Sequence, residues 1–477
     1  MCGIWCYFNG TPLKSPEKNL KHRGPDDTNS ITTPTFSMGF THLAINGKAV
    51  QPFYEDDLAL VCNGEIYNYR ELATLYNIPI KAGDSDCSIL PALFRKCTTV
   101  DEFCRVLDGE FSIIIVDRGV LTVVRDPFGV RPLFENGNSF ASEAKAFEGM
   151  CRQFPPGMYL QHGLYTRYHT LPRSLPTMEY DIAVSNVRSE LLRAVQKRTI
   201  SDKPIGALLS GGLDSSLVVA ILSKSIPNLK TFSIGLADSE DLKYAAIVAK
   251  HYRTNHHQIT ITEKQYQDAI PLVISAIESA DVTTVRASVG NWLLGKYIKA
   301  NTNIKVVLNG DGSDEVCGGY KYFKRSPSMQ AFDTECRRLL GDIHFFDGLR
   351  SDRCISAHGL EPRTPYLDKG FVDAVLSVPI EYRFTTIEKA LLRNAFRGYL
   401  PDNVLYRRKE AFSDGMSQNV PWKTIPNEEA YYKQIYDSMY PVGLVPYKWM
   451  PRWCPETSDP SAKTICLTPL QGKQDTA

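Results

Sequence analysis

Over the first 170 or so residues, apolar positions come in short runs of strand length, broken by Gly, Pro, Asn and Asp. The segments MGFTHLAI (38–45), LALVCNG (58–64), GEFSIIIVD (109–117) and VLTVVRD (120–126) read as β-strands. A helical stretch over Ser88–Arg95 lies between them. Sheets with helices packed on their faces bury such a pattern. LPRSLPTMEY (171–180) has two prolines and no periodicity, and reads as a linker.

From Asp181 the texture changes. IGALL (205–209) is a buried-strand run, followed by a Gly/Ser loop and a helix-like segment from Ser215. Strand KTFSIG (230–235), helix 241–252, strand HHQITI (256–261), helices over 266–279 and 291–300, and strand KVVL (305–308) follow. Alternating strands and helices predict a doubly wound, mostly parallel sheet, which binds ligands beyond the carboxyl ends of its strands. Beyond residue 330 the chain reads as helical, with a polar tail, GKQDTA. The expected division is 1–170, a linker at 171–180, and 181–477.

With 477 residues, the chain is too long for one ordinary core. A net charge of +1 gives no support for a nucleic-acid groove or an anionic membrane partner. No apolar run is long enough to cross a bilayer, and the N-terminus makes a poor signal peptide, so a cytoplasmic enzyme is expected. The twelve cysteines are scattered without a CxxC pair and read as free thiols.

Three groups of residues carry chemistry. Cys2 follows the initiator Met1, whose removal would leave an α-amine able to serve as the thiol's own base. HRGPDD (22–27), CNGEIYNY (62–69), GDSDC (83–87) and RDPFGVRPL (125–133) are polar or glycine-containing loops beside strands. Asn63 and Gly64 offer donors for an oxyanion, and Asp86 could receive an α-ammonium. LLSGGLDSS (208–216), between a strand and a helix, is an anion cradle, with Asp214 a carboxylate for Mg2+. It lacks the Lys-Ser/Thr pair of a Walker A loop. A second acidic, glycine-rich loop, LNGDGSDEVCGGY (308–320), ends the strand KVVL.

With these residues in view, 1–165 resembles the class II glutamine amidotransferases. That resemblance implies an N-terminal-nucleophile αββα sandwich in which Cys2 attacks the glutamine amide and Asn63 and Gly64 stabilise the oxyanion. Glu65, Asp86 and Arg23 would hold the site and the substrate. The family usually carries an arginine for the glutamine α-carboxylate where this chain has His42. If His42 bound that carboxylate as imidazolium, glutamine KM should rise as pH climbs through about 6.5.

The SGGLDSS loop resembles the signature of ATP pyrophosphatases, and 180–470 resembles asparagine synthetases. That likeness implies ATP held by Leu209, Ser210, Gly211, Gly212, Asp214, Ser215, Ser216, Ile234, Asn309, Gly310 and Lys409. Arg286 would meet aspartate or phosphate, with Mg2+ on Asp214 and Asp314. Asp311 would stand at the acyl-transfer position, where the family usually has the longer glutamate. The segments RTPYLD (363–368) and EKALLR (388–393) add further cations. The implied reaction adenylates aspartate and transfers ammonia to it through an internal channel. Implied partners are L-glutamine, L-aspartate, ATP and ammonia, with neither nucleic acid nor membrane, and homodimerisation stays open. Another adenylating amidotransferase and an RNA-modifying ATP pyrophosphatase remain alternatives.

Overall fold

Side-chain alternation decides the N-terminal half of the computed structural model, which describes residues 1–10, 15–47, 50–408, 410–417, 421–440, 447–455 and 457–460. In the strand Gly3–Phe8, Ile4 and Cys6 pack between two sheets, while Trp5 and Tyr7 face the other way. In Leu58–Ile66, Ala59 and Val61 enter the same inter-sheet core, and Leu58, Leu60 and Cys62 face a helical layer. Two six-stranded sheets result. One runs in the order 152–153, 134–136, 139–141, 3–8, 36–42, 27–32; the other 164–167, 158–161, 120–125, 109–117, 58–66, 53–55. The helix Pro16–Leu20 covers the first sheet, and Tyr69–Leu75, Leu90–Lys96 and Val100–Val106 cover the second. This is the expected αββα sandwich.

One predicted strand is cut short. Pairing of Phe36–His42 ends at Gly3 opposite Thr41 on one side and at Asp27 opposite His42 on the other. Leu43 and Ile45 turn away and join Phe128 and Val130 in a core shared with Leu209, Leu213 and Leu217 of the C-terminal half. Apolar residues read from sequence as the end of a strand therefore seal the interface between the halves.

The C-terminal half is built on a five-stranded sheet, ordered 255–260, 230–235, 205–208, 306–308, 361–363, with every neighbouring pair parallel. Two apolar cores lie on its opposite faces, as in a doubly wound fold. The order reverses between Ile205–Leu208 and Val306–Leu308, and this switch point brings the two glycine-rich loops side by side. The fifth strand, Glu361–Arg363, falls in a region read as helical. It is polar and only three residues long, and Arg363 pairs with Glu361 (2.8 Å) and Glu65 (3.3 Å), an arrangement hydropathy cannot signal.

The helix NWLLGKYIKA is the second half of a longer one, Val282–Asn301, capped by Asp281, whose side chain accepts from Thr284 N. Between the last strand of the sandwich, Leu164–Arg167, and the helix Tyr180–Lys197 the chain is irregular but docked. Leu175 N donates to Ser377 O (2.9 Å) and Ser174 Oγ to Val378 O (2.9 Å). Among the described residues, no helix is long and apolar enough to cross a membrane.

Candidate active sites

Cys2 sits at the head of the first strand. Its Sγ accepts from Leu43 N at 3.5 Å, and its carbonyl accepts from Arg23 Nε at 2.9 Å. Burial pushes the thiol up to about 12, although the neighbouring ammonium of Met1 works against that shift. The Met1 amine donates to Leu360 O (3.3 Å), and burial drops it to about 6. With Met1 in place the thiol is therefore protonated, and the amine that would serve as its base belongs to another residue.

The strand Leu58–Ile66 presents Asn63, Gly64 and Glu65 in sequence. Asn63 is fully buried, and neither its Nδ2 nor its Oδ1 has a hydrogen-bond partner among the described residues. An orphaned buried amide costs free energy unless something arrives to use it, which suits a donor reserved for a transient oxyanion. Asp86 Oδ2 accepts from Ile66 N (2.7 Å), and burial raises its carboxyl to about 6. Burial, reinforced by Asp86, also lifts Glu65 well above the usual carboxylate range, while Arg363 opposes it.

His42 is half-buried, with its ring 5.5 Å from that of Phe40. The register Gly3 opposite Thr41 carries it to the level of Cys2. Burial lowers its pKa, against Asp26 and Asp27, so the imidazole is neutral at neutral pH. A charged grip that fades through pH 6.5 is not what this environment provides.

Arg23 differs from expectation. Its guanidinium is fully buried and bound to Cys2 O, Glu143 Oε1 (2.9 Å), Asp352 (2.8 and 3.2 Å) and Ser356 Oγ (3.0 Å). Its guanidinium nitrogens are all spent on the Cys2 backbone, Glu143 and the C-terminal half, so it holds Cys2 in place rather than reaching for a substrate. Asp352 lies on the helix Asp347–Ser356, which is buried from Gly348 onward. On the same helix, Arg350 Nη2 donates to Asp311 Oδ1 (2.8 Å), and Ser351 Oγ accepts from Asn309 Nδ2 (2.6 Å). One helix thus grips both the glutaminase-like site and the acidic loop.

In the C-terminal half the loop 209–212 runs into the helix Leu213–Leu222, placing Asp214, Ser215 and Ser216 in its first turn. Ser215 Oγ ties the loop by accepting from Ser210 N (3.1 Å). Gly211 has φ +74°, and a Cβ there would stand 2.4 Å from Ala245 N, so glycine is required. The acidic loop packs directly against it, since a Cβ on Gly310 would lie 2.8 Å from Ser215 N. Ile234, Phe232 and Leu208 line an apolar side of the pocket between the loops, and Asp311, Asp314, Tyr320, Asp347 and Arg407 the polar side.

Asp214 Oδ2 and Asp314 Oδ1 converge on Lys389 Nζ at 2.7 and 2.6 Å. Burial raises the Asp311 carboxyl while Arg350 restrains it, and burial, with Asp347 and Asp314, pushes Glu315 up to about 8.

Arg286 lines the pocket, but its guanidinium is already bound by Glu428 and Asp459 and lies 4.5 Å over the Trp422 ring. An incoming anion would have to displace two carboxylates, which argues against the aspartate or phosphate contact expected of it. Lys409 falls outside the described residues. Sequence reading passed over Arg350, Glu315 and Lys389 as individual site residues. Lys389 was visible only within EKALLR, and Arg350 only as an arginine three residues after Asp347 in helical register.

The sequence model of a family described as a glutamine amidotransferase domain matches residues 1–180. One described as asparagine synthase matches 186–337 and 324–432. A probable glutamine-hydrolysing asparagine synthetase of Acanthamoeba polyphaga mimivirus is 35% identical, over 98% of this chain and 100% of its own. The glutamine-hydrolysing asparagine synthetase of Bos taurus is 35% identical and that of Homo sapiens 34%, each over 98% of both chains. These alignments run over 550 and 557 positions against 477 residues here, so the relatives carry stretches with no counterpart in this chain.

Proposed function

This chain belongs to the asparagine synthetase family, and from that premise we propose how its residues divide the ATP-dependent, glutamine-dependent synthesis of L-asparagine from L-aspartate. The observation that carries the division is the chain of buried contacts Cys2–Arg23–Asp352 and Arg350–Asp311, which joins a nucleophile in one half to an acidic loop in the other through a single helix.

In the N-terminal half, loss of Met1 gives Cys2 its own α-amine. The thiol loses its proton to that amine and attacks the glutamine side-chain amide. Asn63 Nδ2 and the Gly64 N–H receive the oxyanion, the protonated α-amine returns its proton to the departing nitrogen, which leaves as ammonia, and water frees glutamate from the thioester. Asp86 holds the substrate's α-ammonium, and Glu65 beside it helps hold the site.

In the C-terminal half, ATP lies between the loop 209–216 and the acidic loop, with its base against Ile234 and Phe232. The aspartate β-carboxylate oxygen attacks the α-phosphorus, the α–β bridging bond breaks, and pyrophosphate leaves. Ammonia attacks the acyl carbon of β-aspartyl-AMP, AMP departs with the carboxylate oxygen, and asparagine is formed. Asp311, held by Arg350, is placed to take the proton that the attacking nitrogen sheds.

Asp214 and Asp314 suit a Mg2+ ion. Carboxylate oxygens from two separate loops converge on one cationic nitrogen, where a metal would take its remaining ligands from phosphates and water. The ion supplies charge neutralisation for the departing pyrophosphate. The eleven free thiols among the described residues suit a reducing cytosol.

Aspartate labelled with 18O in its β-carboxylate tests the adenylation. One label should pass to AMP. Label in inorganic phosphate, with ADP as product, would replace the acyl adenylate by an acyl phosphate.

A further inference from the structure

Lys389 has no role in the steps above, yet it stands where Asp214 and Asp314, the two carboxylates assigned to the metal, meet. An ammonium has three N–H donors. Here two find hydrogen-bond acceptors, Asp214 Oδ2 (2.7 Å) and Ser313 Oγ (3.2 Å), and the ammonium also forms an ion pair with Asp314 Oδ1 at 2.6 Å. Ser313 Oγ in turn donates to Asp214 Oδ1 at 2.8 Å, closing the ring.

The surroundings are built to admit this side chain. Lys389 is buried, and its backbone adopts φ +56°, a left-handed conformation a lysine rarely takes without being held there. A Cβ on Gly319 would stand 2.1 Å from both Lys389 Cε and Asp314 Oδ1, so only glycine lets the stem and the carboxylate meet. Burial disfavours the charged amine, but Asp214 and Asp314 outweigh it and raise the Lys389 pKa above its ordinary value.

We infer that Lys389 is a resident cation that closes the metal site of the nucleotide-free enzyme, and that it is exchanged for the divalent ion only when a nucleotide's phosphates draw its ammonium away. The inference rests on the assignment of Asp214 and Asp314 as Mg2+ ligands. Its physical basis is like-charge exclusion. A divalent cation cannot share two carboxylates with an ammonium within about 4 Å without strong repulsion in a partly desolvated pocket. A pyrophosphate group supplies a competing anion along the same loops and frees both carboxylates. Metal and nucleotide then enter together, and the site does not trap free divalent ions that would obstruct the nucleotide.

Mn2+ binding to the full chain, followed by the electron paramagnetic resonance of the free ion, tests this without reference to turnover. Without pyrophosphate, wild type and Asp214→Asn should bind Mn2+ equally weakly. Lys389→Met should bind at least about tenfold more tightly than wild type. With pyrophosphate, wild type should bind tightly and Asp214→Asn should not. Equal Mn2+ affinity of Lys389→Met and wild type, with the pyrophosphate-linked binding intact, overturns the role of Lys389 alone. If the Met variant melts too early to be used, the wild-type comparison decides, because wild type binding Mn2+ tightly without pyrophosphate, where Asp214→Asn does not, overturns the closed site. Pyrophosphate-linked binding unchanged by Asp214→Asn overturns the metal assignment and this inference with it.

Discussion

Arg23 and Asp352, 329 residues apart in sequence, meet in a bidentate ion pair of 2.8 and 3.2 Å in which neither side chain reaches water. The same guanidinium holds the Cys2 carbonyl, so the Cys2 backbone is tied to the C-terminal half. Removing one partner of a buried ion pair leaves the other charge stranded, at a cost of about 3–5 kcal/mol. Arg23→Met should lower thermal stability by that order and depress glutamine hydrolysis more than ammonia-dependent synthesis. Differential scanning calorimetry and the two assays check both. An unchanged melting temperature would show that the pair contributes nothing to holding the halves together.

The separation of chemistries gives a sharper test. Cys2→Ala should lose at least about a thousandfold in glutamine-dependent synthesis while keeping synthesis from ammonium salts. Asp214→Asn should lose synthesis from both nitrogen sources while still hydrolysing glutamine. Mass spectrometry should find Met1 absent from the active protein, because with Met1 retained, burial holds the Cys2 thiol at about 12. Full glutamine-driven activity in protein that retains Met1 would end the assignment of Cys2's amine as the base.

The β-alternation of the first half and the strand–helix alternation of the second were legible because each pattern spans many residues. The loops 208–216 and 308–320 were legible because glycine and acid at strand ends have few other uses. Features made by the joining of the halves were not legible. Nothing local in HRGPDD says that Arg23 faces Asp352 rather than a substrate, and nothing in the apolar Leu43 and Ile45 says that they leave their strand for an interface. Arg286 shows the same limit, since its carboxylate partners, Glu428 and Asp459, lie more than 140 residues on.

Acid should weaken glutamine binding through Asp86. Burial raises its carboxyl to about 6, and only the ionised form, present above that pH, attracts an α-ammonium. Glutamine KM in the hydrolysis reaction should be flat above neutrality and rise as pH falls through about 6, reaching roughly tenfold one unit below the pKa. Asp86→Asn should show a high KM at every pH. A KM independent of pH across this range would remove Asp86 from glutamine recognition.

His42 should behave as a neutral neighbour of Cys2. Since burial holds its pKa below the usual 6.5, glutamine KM should show no rise as pH climbs through that value. An arginine there could grip a carboxylate with permanent charge, so His42→Arg should lower glutamine KM by about ten- to a hundredfold and leave ammonia-dependent activity alone. No change on arginine substitution would mean that the substrate carboxylate lies elsewhere.

The central claim is that one chain moves nitrogen from glutamine to an adenylated aspartate. Glutamine labelled with 15N in its side-chain amide, supplied with ATP, Mg2+ and aspartate, addresses it most directly. The predicted result is asparagine carrying 15N in its side-chain amide, with AMP, pyrophosphate and glutamate formed in equal amounts. Release of labelled ammonia without labelled asparagine, or ADP and phosphate in place of AMP and pyrophosphate, would contradict it.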